Sequence, residues 1–108
     1  MELIPPTISD SDASRASKAV AELFPEVIHT LTDLVKIQGI AWEAFDARQL
    51  ESSAEAVKNL FESTAAFDRV DILRSSYGEG LIGAPAVVAT RASKNSRPTI
   101  LLLSLIHI

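Results

Sequence analysis

The sequence predicts a mixed α/β or α+β fold, with helices first and strands after them. Three observations predict it. Between residues 28 and 35 and again between 50 and 61 the apolar residues recur at the spacings of an amphipathic helix, after an Ala-rich stretch of good helix formers. From Phe67 onward they alternate with polar residues or run together, as strands do. No segment of the chain repeats another, so the order is helices and then strands within one unit.

Each element has its own warrant. Residues 1–11 carry Pro5, Pro6, Thr7, Ser9 and Ser11 and read as a flexible leader. Ser11 or Asp12 can cap a helix over residues 13–24, which are rich in Ala and other good helix formers. Pro25 suits the first turn of a second helix, where its missing N–H is not needed. Ile28, Leu31, Leu34 and Val35 give that helix one apolar stripe, and Gly39 ends it. Asp46 caps a third helix with Leu50, Ala54, Val57, Leu60 and Phe61 inward and Glu51, Glu55, Lys58 and Glu62 outward. Val70 and Ile72 alternate with Arg69 and Asp71, the pattern of a half-buried strand. Residues 86–90 form a short β-branched run, 93–96 a polar turn, and Pro98 opens a run over 99–102; the last two strands are expected to form a hairpin. That final strand is apolar on both faces, which suits the middle of a covered sheet. Three helices can cover one face but hardly both, so the chain reads as part of a larger layered domain.

Composition narrows the function classes. The chain has 108 residues, 47% of them hydrophobic and 22% charged, which fits one folded domain and excludes disorder throughout. A net charge of −4 argues against general nucleic-acid binding, which needs a surplus of cations facing phosphates. With no cysteine there can be no disulfide, thiolate zinc site or cysteine nucleophile. The first twelve residues lack the charged and apolar segments of a signal peptide. The apolar run at 100–108 falls short of the roughly 20 residues of a membrane span. A cytoplasmic protein without membrane or nucleic-acid partners is expected.

Several constellations invite chemistry and have plainer readings. Gly78-Glu79-Gly80-Leu81-Ile82-Gly83 matches the dinucleotide fingerprint G-x-G-x-x-G, but strand residues follow it where a helix should begin. It reads as a loop between strands. His29 and Asp33 share a helix face, yet two ligands close no metal site, so a solvated i,i+4 pair is expected. Glu51 and Glu55 have the spacing of paired carboxylates but lie opposite the apolar stripe, where nothing would raise a pKa. Arg91, Lys94 and Arg97 cluster at one turn without interleaved aromatics and read as a charged hairpin tip. Trp42 and Phe45, in a connection between helices, are expected to pack down as a plug. His107, between Ile106 and Ile108, has no carboxylate beside it.

Four stretches, taken in order, resemble the amino-terminal part of zinc-dependent metallopeptidases of the carnosinase, aminoacylase and glutamate-carboxypeptidase type, the bacterial dipeptidase branch above all. They are Leu31-Thr32-Asp33-Leu34-Val35-Lys36-Ile37, Ser53-Ala54-Glu55-Ala56-Val57, Gly83-Ala84-Pro85-Ala86-Val87-Val88-Ala89-Thr90-Arg91 and Arg97-Pro98-Thr99-Ile100-Leu101-Leu102. The third is similar to the Gly-x-Pro-Ala-Val loop and strand of that family. The fourth is similar to the strand that leads to its first metal ligand. Order and spacing carry the resemblance, which spans residues 25–102. Gln38-Gly39 stands where the family has Pro-Ser, and Gly39 can serve the same helix-closing geometry.

The resemblance implies the first part of a three-layer catalytic domain. It also implies hydrolysis of dipeptides or related amides at a two-zinc site, and a parent that forms a homodimer. The family's strand runs on into Tyr, a small residue and His-x-Asp, with the His on zinc. Here position 103 is Leu, Leu105 stands where the ligand should fall, and His107 stands where the Asp should fall. Residues 12–102 therefore read as the start of the peptidase domain. Residues 103–108 resemble the translation of a transposase adapter and read as a non-native tail. On this reading the chain holds no catalytic, metal-binding or cofactor-binding residue, binds no zinc and is inactive alone. The rival expectation is a complete small α/β interaction module whose last strand, 99–106, pairs with a partner's sheet edge.

Overall fold

A computed structural model describes residues 8–94 and 98–104. It is mixed α/β: helix α1 (Asp10–Val35) and helix α2 (Ala47–Ser63) precede the short strands β1 (Arg69–Leu73), β2 (Ser76–Tyr77), β3 (Leu81–Ile82) and β4 (Ala86–Thr90). The helices-then-strands order follows the hydrophobic periods of the sequence.

The first two expected helices are one. α1 begins at Asp10, earlier than the expected start, and takes in two residues assigned to the leader. Its cap is Ser9 rather than Ser11 or Asp12. Ser9 Oγ accepts from the Asp12 backbone N–H at 3.2 Å and donates to the Asp12 carboxylate at 2.7 Å. That reciprocal arrangement satisfies an orphan donor, and two acidic residues in the first turn favour the positive helix end. Pro25 lies inside α1 and does not start a new helix. Its ring fixes a φ compatible with the helix, and the carbonyl that loses its partner, on Ala21, is on an exposed residue where water can replace the bond. α1 ends at Val35, four residues before Gly39. Gly39 acts on packing instead. A Cβ there would lie 2.6 Å from Ser53 Cβ, so the bare backbone lets the connection pass close against α2.

α2 starts where expected. Asp46 accepts from the Arg48 backbone N–H at 2.9 Å and holds the Arg48 side chain as well. Its expected inward face is the one turned to the sheet: Ala54 is buried, and Leu50, Val57, Leu60 and Phe61 are half-buried. The Phe61 ring meets Phe67 edge to face at 5.3 Å, joining the helix to the segment that enters β1.

β1 and β4 pair antiparallel with Val70 opposite Ala89 and Ile72 opposite Val87. These four residues are half-buried and α2 packs on both strands. On the other face Arg69, Leu73, Ala86, Val88 and Thr90 are exposed, while Asp71, which pairs with Arg69, is half-buried. The polar–apolar alternation read at 69–72 follows the pleat, with Val70 and Ile72 on the face that α2 covers, although Asp71 is half-buried too. Asp68 fixes the end of the ladder: its N–H donates to the Thr90 carbonyl at 2.9 Å, and its carboxylate accepts from the Ala92 N–H at 2.7 Å.

The expected terminal hairpin does not form. β4 pairs with β1, and residues 98–104 belong to no strand, with Leu101 and Leu102 85% and 89% exposed. The apolar run has β propensity but no neighbour that offers it a ladder and a covered face, and propensity alone does not make a strand. The consequence for packing is large. Ala54 is the only buried residue among those described. The accessible surface is 9942 Å², where a compact chain of this mass would show about 5800 Å². The radius of gyration, 17.5 Å, likewise exceeds the roughly 13 Å of a compact domain of this length.

Candidate functional site

A concave surface that carries both apolar and charged groups lies where the α1–α2 connection faces the segment before β4. Ile40, Trp42, Phe45 and Leu50 form one wall of a cleft of about 540 Å³, and Ile82 and Pro85 form the other. The connection is a series of tight turns, with Gly39 N–H bonded to the Ile37 carbonyl at 2.8 Å and Phe45 N–H to the Trp42 carbonyl at 2.9 Å. Those turns hold the two aromatics outward. Trp42 is 71% exposed and Phe45 47%, so neither is the plug that the sequence suggested. An aromatic plug needs apolar atoms packed on both ring faces, and here the cleft lies open between the aromatics and Ile82 and Pro85.

Glu51 and Arg74 join across the same cleft. Glu51 was expected on a solvated face; instead it is half-buried and holds the arginine that follows β1. Sequence reasoning missed this contact because the partners are 23 residues apart and neither helix nor strand period relates them. Glu55 is exposed and takes no part. The two glutamates therefore do not act as a carboxylate pair.

The other sequence-derived candidates lie apart from the cleft. His29 Nε2 stands 3.5 Å from an Asp33 carboxylate oxygen on the open surface of α1, as a solvated i,i+4 pair. Lys36 holds the other carboxylate oxygen at 2.8 Å, and its hydrogen bond and charge keep Asp33 below the usual carboxylate range, with His29 adding a smaller effect. Catalytic zinc needs three protein donors that converge and leave a position open. Among the described residues no three His, Cys, Asp or Glu side chains come together. The described residues therefore do not fit a zinc centre.

The glycine-rich stretch is a loop between strands, in the form of a small hairpin. Ser76 and Tyr77 pair with Ile82 and Leu81, and Gly78 and Gly80 take positive φ at the turn. Their freedom serves that reversal, which no helix follows, so the pyrophosphate geometry of the dinucleotide fingerprint is missing. Arg91 and Lys94 border a second hollow, of about 600 Å³, with Phe67, Pro98 and Ile100. Part of the expected turn at 93–96 lies outside the described residues, as do Arg97, Leu105 and His107. No helix among the described residues is long and apolar enough to cross a membrane.

Comparison of the chain with protein-family models, with curated proteins and with solved structures gives no match.

Proposed function

We propose that this chain is the amino-terminal part of the catalytic domain of a metal-dependent dipeptidase, and that it contributes scaffold rather than chemistry. One observation carries the reading. The segment Gly83-Ala84-Pro85-Ala86-Val87, which resembles the family's loop and strand, enters a helix-backed antiparallel ladder that has two strands among the described residues and exposed apolar residues around it, which supports a larger layered domain. The order of the four resembling stretches supports the same reading. In the proposal the substrate is a dipeptide or related amide, the compartment is the cytoplasm, and two zinc ions belong to the complete domain. In this reading their ligands follow residue 102 of the parent sequence, and no catalytic step is assigned to the residues described.

The test is made on DNA. The source locus is amplified across codons 102 and 103 without transposase tagging and read through. A frame that continues into Tyr, a small residue and His-x-Asp supports the dipeptidase, and the complete product then hydrolyses dipeptides in a metal-dependent way. A genuine stop after codon 108 overturns it.

A second reading is favoured by the exposure of residues 100–103, all at least 70% accessible and outside any ladder. In it the chain is an interaction module that adds its apolar carboxy-terminal segment to a partner's sheet edge. A module of that kind folds cooperatively alone, which separates the two readings.

A further inference from the structure

We draw no further inference here: the strongest candidate, the exposed apolar stripe of α1 from Val20 to Val35 with the groove it shares with Leu60 of α2, carries nothing because nothing in the structure shows what covers it.

Discussion

Asp46 shows how much a single side chain can settle. It ends the connection, caps α2 and binds the Arg48 guanidinium, and those bonds hold its carboxyl below the ordinary value of 3.8. A carboxylate with a lowered folded pKa stabilises the folded form above its unfolded pKa, and that contribution disappears as the pH falls through the lower folded value. Helicity of α2 is therefore expected to hold as acid is added down to about pH 4 and to decline below it, followed by circular dichroism. Asp46→Ala should remove that acid step and weaken α2, because the cap on its first turn is lost. An unchanged acid profile in the variant would show that the cap does not govern it. Gly39 offers a second check. Gly39→Ala places a methyl against Ser53 Cβ and should loosen the connection from α2, while adding Ser53→Gly should restore it. Exchange protection of the amides at 49–53 reports both. The cap was legible in the sequence because Asp before a helix-period run is a local signal. The Gly39–Ser53 approach and the Glu51–Arg74 pair were not, because each depends on how distant segments cross.

At the scale of elements, α1 teaches the limit of proline as a boundary. Pro25 has no N–H to donate and its ring crowds the preceding turn, which argues for a break at that point. The helix runs through because strong helix formers flank it and the deprived carbonyl faces water. Pro25→Ala restores the bond, at a site where proline costs up to about 3 kcal/mol relative to alanine. Greater helical signal at about 222 nm and slower amide exchange around residue 25 are expected. Unchanged exchange there would mean that α1 is already broken at this point in solution. For α2 and the ladder, Ala54 is the buried residue of the helix, 6% exposed. Ala54→Leu should push the helix off the strands, costing about 1–3 kcal/mol as overpacking does. Loss of protection at 69–73 with helicity of α2 retained is the expected signature. α2, β1 and β4 were readable because each carries a clear local pattern, a helical period or a strand run. The pairing of β4 with β1 was not, because ladder hydrogen bonds join strands regardless of their distance along the chain. Adjacency favoured the strand nearer in sequence, and the structure chose the one backed by α2.

For the whole molecule, the governing fact is the apolar surface left in water. Burial contributes roughly 25 cal/mol per Å², and ordering each residue costs on the order of 1–2 kcal/mol, so a chain with one buried residue among those described has little to hold a unique tertiary state. Purified residues 1–108 are expected to show helix by circular dichroism, to bind a hydrophobic dye and to lose structure gradually on heating. A sharp, cooperative melt would count heavily against the dipeptidase fragment and favour the interaction module.

The sequence by itself determined the local elements: the cap at Asp46, the amphipathic α2, the alternation in β1, the β-branched run of β4 and the solvated His29–Asp33 pair. Each rests on residues within one or two turns or pleats of one another, where backbone sterics and hydrophobic period act directly. The tertiary structure alone decided which strands pair, that Glu51 reaches Arg74, that Trp42 and Phe45 stand outward, and that residues 98–104 have no ladder. These outcomes depend on which surfaces meet across the chain. Contacts between segments far apart in sequence are set by packing and loop closure, and no local pattern encodes them.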